Sequence, residues 1–148
     1  MATLRFSAQV AEWAKRVPEA AEAVFKESTK EIVREMQTPV GAGGRMRIDT
    51  GFLRASLMAS TASMPSINPG AKPVEGGAYS YNEGQIEAVI AGAELGDTIF
   101  FGYTAAYAAH REYGARGQPA DAFVRLAAQN WGITVDRNAA KVKAAFGL

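Results

Sequence analysis

Between Ser7 and Gln37 the apolar residues return every three or four positions: Val10, Trp13, Ala14, Val17, Ala21, Val24, Phe25, Ile32, Val33 and Met36, with Ser28 in the same register. That period lays one stripe along a helical cylinder and predicts a long N-terminal helix. Ser7 stands where a side-chain cap for its first turn is expected. Pro18 falls inside the pattern. Its ring and missing N–H predict a kink there, or two helices with Pro18 in the first turn of the second. The opposite face carries Lys15, Arg16, Glu22, Lys26, Glu27, Lys30, Glu31, Arg34 and Glu35. Mixed charges at these spacings read as a solvated face with weak pairs between successive turns.

After the helix the period changes. Pro39-Val40-Gly41-Ala42-Gly43-Gly44 reads as a flexible joint, and Asp49-Thr50-Gly51 as a turn, with side-chain oxygens for nearby N–H groups and a glycine free to take positive φ. Leu53 to Met64 then reads as a strand, alone or after a short turn, with Leu57, Ala59 and Thr61 on one face. Residues 65–84 are rich in Pro and Gly and poor in core formers, and predict a long projecting loop. Ile86 to Gly92 reads as a strand, and Thr98 to Tyr103 as the strongest strand of the chain. Gly96-Asp97 between them predicts a hairpin, and hence a sheet of at least three strands under the long helix. Tyr107 to Tyr113 suits a short helix or a strand. A helix is expected over Ala120 to Trp131, opened by Pro119, with Phe123, Leu126, Ala127 and Trp131 on one side. Val135 to Phe146 continues it or forms another helix, with Val135, Ala139, Val142 and Phe146 together. The fold class is therefore α+β: a long N-terminal helix, kinked near Pro18, on a small antiparallel sheet, with a C-terminal helix. One domain is expected over residues 1–148, with flexible loops at about 39–48 and 65–84.

Composition narrows the function more by exclusion than by suggestion. A net charge of +1 is unlike the basic balance of most domains that grip nucleic acid. The chain has no cysteine, which removes disulfides and thiolate metal sites. The start, Met1 to Phe6, lacks a basic segment followed by an apolar run, and no apolar stretch reaches the ~20 residues a bilayer requires. The glycines at 41, 43 and 44 lack the Gly-Lys-Ser/Thr ending of a phosphate loop. His110 is the lone histidine, no Gly-x-Ser-x-Gly occurs, and Asp49, Glu75, Glu83, Glu87, Glu94, Asp97, Glu112 and Asp121 are scattered. No catalytic, cofactor-binding or metal-binding residue is assigned, and no enzyme activity is expected. Glu112, set among apolar residues, is expected to need an arginine if buried, with Arg54 and Arg125 the candidates.

Three segments remain: Asp49-Thr50-Gly51-Phe52-Leu53-Arg54-Ala55-Ser56, then Tyr107 through Glu112-Tyr113-Gly114, then Pro119 through Phe123 and Arg125. In this order and spacing, over roughly residues 17–131, the chain resembles the tail-completion (neck, head–tail joining) family of siphoviral phages and prophages. Asp49, Thr50, Gly51, Leu53, Arg54 and Ser56 match the family's first motif. Tyr107, Glu112, Tyr113 and Gly114 match the second, and Pro119, Phe123 and Arg125 the third. The sequence departs from the family where a glycine-rich insertion separates Pro39-Val40 from Asp49, where Ala115 replaces a customary threonine, and in its longer 65–84 loop. The resemblance implies a structural virion protein, assembled in the bacterial host cytoplasm. Its copies would form a ring, hexameric in the family, around the DNA channel. Its neighbours would be a head connector or stopper protein on one side and a tail terminator or tail-tube protein on the other, with DNA passing non-specifically and no membrane involved. Tyr79, Tyr81, Tyr103 and Tyr107 are then candidate interface aromatics. The alternative is a DNA-binding or DNA-processing phage protein, for which Arg45, Arg47, Arg54, Lys72, Arg111 and Arg116 would supply the charge.

Overall fold

The computed structural model describes residues 5–148; the N-terminal start Met1–Leu4 lies outside them. Helix α1 runs unbroken from Phe6 to Gln37, with Pro18 inside it. The two-helix alternative is therefore not realised, since the loss of one N–H at Pro18 is offset by the rungs on either side. Ser7 is not the cap: the helix starts a residue earlier, and Arg5 at the boundary makes no side-chain cap. The chain continues through a 3₁₀ turn, Val40–Ala42, helix α2, Phe52–Ala55, and strand β1, Leu57–Ser60. Residues 61–82 form no helix or strand beyond a single bridge from Asn68 to Ala105. Helix α3, Glu83–Gly92, strand β2, Phe100–Tyr103, and helices α4, Ala108–Tyr113, α5, Phe123–Gln129, and α6, Trp131–Phe146, complete the order.

The sheet is smaller than its expected form. β1 and β2 pair antiparallel, Leu57 opposite Tyr103 and Ser60 opposite Phe100, and no third strand joins them among the described residues. The expected strand over Ile86 to Gly92 is helix α3. Ile86 and Ile90 lie two periods apart on a strand and one turn apart on a helix, so the spacing suits both. Asn82 breaks the tie: its Oδ1 accepts the Gln85 N–H at 3.2 Å and caps the helix. Ile86 and Ile90 are buried and Val89 packs beside them, while Ala88 faces out, as helical spacing requires. Gln85 also uses its side chain as a one-residue substitute for a strand. Its Oε1 accepts the Ala59 N–H at 3.3 Å and its Nε2 donates to the Ala59 carbonyl at 3.0 Å, closing the outer edge of β1. Leu57 and Ala59 are buried as expected, but Thr61 lies beyond the strand and is exposed.

Two apolar clusters form the interior. The larger joins Val33, Met36, Leu57, Ala59, Ile86, Ile90 and Ala127. The second joins Met46, Leu53, Ala105 and Phe123. Tyr103 and Val124 touch both. The glycine-rich joint folds back on itself: Pro39 bridges Met46, the Val40 N–H donates to the Met46 carbonyl at 3.0 Å, and Met46 is wholly buried. The insertion thus loops out and returns the chain to where it left.

Helix α6 runs antiparallel along α1. Asn130 Nδ2 reaches Glu35 at 2.5 Å, Arg137 pairs with Glu31, Asn138 Nδ2 donates to the buried Ser28 Oγ at 3.2 Å, and Gly147 lies beside Arg16. Glu31 and Glu35, expected on a solvated face, therefore anchor α6, and Lys26 reaches across to the Ala91 carbonyl at the end of α3. The remaining pairs on that face, Glu22–Lys26 and Glu27–Lys30, are the local ones anticipated. The helix over Ala120 to Trp131 is split. α5 begins only at Phe123 and α6 at Trp131, whose ring is 40% exposed instead of sharing the buried side of Phe123 and Ala127. The Asp121 and Ala122 N–H groups bond back to the Arg111 and Glu112 carbonyls at 2.7 and 3.2 Å, and this holds residues 121–122 out of the helix.

The end of α1 is joined to the sheet by one buried amide. Gln37 is 2% exposed; its Oε1 accepts the Tyr103 hydroxyl at 2.6 Å and its Nε2 donates to the Arg54 carbonyl at 2.9 Å. Replacing Gln37 by Leu strands both partners and is expected to cost about 2–4 kcal/mol, against about 1–2 kcal/mol for Tyr103→Phe. In urea unfolding the double variant should lose clearly less than the sum of the two, because both remove one bond. Strict additivity would show that the amide and the hydroxyl do not act together.

Candidate functional site

The three motif segments come together in space. Each makes a turn, and each turn is closed by a group from elsewhere in the chain. In the first, Thr50 Oγ1 accepts the Phe52 N–H at 3.2 Å, as its turn chemistry anticipates. Asp49, expected to do likewise, is exposed and makes no hydrogen bond among the described residues. Gly51 takes φ +82°, and a Cβ there would stand 2.6 Å from the Tyr79 carbonyl oxygen. The glycine is required because the end of the long loop is tied down on it, the Tyr79 N–H donating to the Thr50 carbonyl at 3.0 Å. The Phe52 ring meets Tyr79 edge-on at 5.1 Å and stacks on Tyr107 at 6.2 Å. Leu53 turns into the second cluster. Arg54 donates from Nε to the Gln37 carbonyl at 2.8 Å and lies over the Tyr81 ring, so it is not the partner of Glu112. Ser56 Oγ closes the turn on the Leu53 carbonyl at 2.7 Å.

The second and third motifs form one unit. Glu112 is buried at 6% exposure and its carboxylate accepts the Val124 and Arg125 N–H groups, each at 2.9 Å. These are the second and third N–H groups of α5. The residue before that helix, Ala122, sits at φ +52° with no side chain able to cap. Glu112 does from the preceding helix what a capping Asp does from its own position. Arg125 Nε adds a contact at 3.2 Å and its guanidinium covers the Tyr113 ring. Arg125 is therefore the arginine partner, but half-exposed, and the two N–H bonds supply most of the anchoring. Gly114 at φ +83° brings the chain within contact of Gln118 and Ala120, where a Cβ would lie 2.9 Å from the Gln118 oxygen. Phe123 is buried edge-on against Tyr103 at 5.1 Å.

Two participants carry no sequence signal of their own. Asp121, 5% exposed, accepts Arg47 Nε at 2.5 Å, while Arg47 Nη2 donates to the Pro119 carbonyl at 2.8 Å and Arg45 Nε to the Asp121 carbonyl at 3.0 Å. Gln37 is the other. Of the candidate interface tyrosines, Tyr103 lies between the two clusters and Tyr107 under Phe52. Tyr79 accepts the Val74 N–H on its hydroxyl at 3.0 Å, and Tyr81 rests beneath Arg54. All four are half-buried within the chain. His110 is exposed, and among the described residues no three His, Asp or Glu side chains gather closely enough to hold a metal. No described helix is long and apolar enough to cross a membrane. Comparison with protein-family models, with curated proteins and with solved structures returns no match.

Two expectations follow from this junction. Glu112→Ala leaves two buried N–H groups without an acceptor and should cost about 3 kcal/mol in chemical unfolding, whereas Arg125→Ala should cost at most about 1 kcal/mol. Equal losses would make the ion pair, and not the cap, the dominant bond. The Tyr103 hydroxyl is pushed far above the ordinary tyrosine value of 10.0, first by burial and then by Tyr81 and Glu112, with Arg54 opposing. An unfolded chain loses this proton near the ordinary value and the folded chain does not. The contribution is therefore whole below about pH 10 and is lost as pH rises above it, at up to about 1.4 kcal/mol per pH unit. Tyr103→Phe should flatten that alkaline fall, measured by unfolding at a series of pH values; an unchanged slope would refute the assignment.

Proposed function

We propose that this chain is a structural subunit of the neck of a tailed phage, joining the head connector to the tail by forming a ring around the DNA channel. The observation that carries the reading beyond the motifs is the uncovered first third of α1. Helix α6 ends beside Arg16, and the apolar stripe continues past it with Phe6 at 80%, Val10 at 46% and Trp13 at 60% exposure. Ten residues of helix extend ~15 Å. An apolar face on so long a projection needs a partner, and in a ring the partner is a different surface of the next subunit. The motif residues fit the same role. They pin turns and helix ends to one another, which supports a part of fixed shape.

In this reading the proteins above and below are a head connector or stopper and a tail terminator or tail-tube protein. The protein resides in the virion neck after assembly in the bacterial cytoplasm. Deleting the gene from its phage should give DNA-filled heads and unattached or incomplete tails by electron microscopy; normal infectious particles would contradict the proposal. Val10→Asp with Trp13→Asp removes the apolar face at exposed positions. It should leave unfolding unchanged within about 0.5 kcal/mol and abolish complementation of the deletion.

A further inference from the structure

The near-neutral total charge conceals an uneven distribution. A depression of about 540 Å³ is lined by Tyr107, His110, Arg111, Ala115, Arg116 and Gln118, without a carboxylate among them. Arg111 also borders the adjoining cleft of Arg47, Asp49 and Arg54. Arg47, Arg54 and Arg45 have internal partners. Arg111 and Arg116 form no ion pair and no side-chain hydrogen bond among the described residues. Among the described residues Arg47 pairs with the buried Asp121, whereas Arg111 and Arg116 meet no carboxylate in the hollow they line. Arg116 occupies the tip of a tight turn, with the Gln118 N–H donating to the Ala115 carbonyl at 2.9 Å, and takes φ +52° beside Gly117 at +78°. An arginine is thus held outward at a position where glycine or asparagine is the easier occupant.

We infer that this concavity is a phosphate-contacting surface for double-stranded DNA. The occupant follows from charge complementarity: two unpaired guanidiniums, an imidazole and a tyrosine line an open hollow that holds no carboxylate. Guanidinium forks match phosphate oxygens, and here they border a hollow of mixed polar and apolar lining. Two arginines give weak, sequence-independent contact that lets DNA slide, as a conduit requires. The inference deepens the neck reading by naming the face turned toward the channel, and rests on that reading for the direction in which it points.

The test is fluorescence anisotropy of a short labelled duplex with the purified full chain over a range of salt. Wild type should bind in the micromolar range at about 20 mM salt and lose that binding by about 200 mM. Arg111→Gln with Arg116→Gly removes both charges, and glycine relaxes the turn, so folding is kept. Its slope of log affinity against log salt should fall by about two, one for each lost phosphate contact. Lys141→Gln with Lys143→Gln removes the same charge from α6 and should leave the slope unchanged. Absence of binding at low salt, or equal loss in the α6 control, overturns the inference. Either failure leaves the ring proposal standing, because that is decided by the particles formed without the gene.

Discussion

The buried amide of Gln37 is the bond on which the arrangement depends. A two-stranded sheet is not stable by itself, and here it is held because α1 ends against it and is joined to it by hydrogen bonds. The Tyr103 hydroxyl fixes β2 to Gln37, and the Arg54 carbonyl fixes the turn before β1 to the same side chain. Arg54 returns a bond to the Gln37 backbone. One residue at the end of a helix therefore sets the distance and angle between that helix and both strands. The polar atoms are satisfied only when all three elements are in place, which makes the junction specific as well as stable.

The same device recurs at the other end of the core. Glu112 on α4 caps α5, Asp121 holds Arg47, and the chain between them is bonded back to the end of α4. With no disulfide and little sheet, the protein uses buried side-chain acceptors to fix short helices that are too brief to persist alone. Phe123 and Tyr103 pack between the two junctions, so displacement at one is felt at the other. This is how three motifs separated in the chain act as one rigid part.

The proposal of a building element rests on a helix whose apolar stripe outruns its partner. The exposed first third of α1 and the cationic hollow by Arg116 are formed by different residues, and the two proposals rest on them separately.

Much of this was legible in the residues themselves. The three-and-four spacing over α1 has one interpretation at that length, and Asp-Thr-Gly marks a turn in which Gly51 takes positive φ. Glu112 could be recognised as an acid needing a partner. The sequence did not reveal which partner, because Arg54 and Arg125 are equally close in kind and only the folded chain brings α5 to Glu112. Ile86 and Ile90 satisfy strand and helix periods alike, so the choice was left to the Asn82 cap and the contacts of α3. The pairing of β1 with β2 across forty residues, in place of a local hairpin, was likewise undetermined. Local order is set by what a residue does to its own turn of backbone. Bonds between distant groups exist only once hydrophobic burial has brought those groups together, and no pattern of nearest neighbours encodes them.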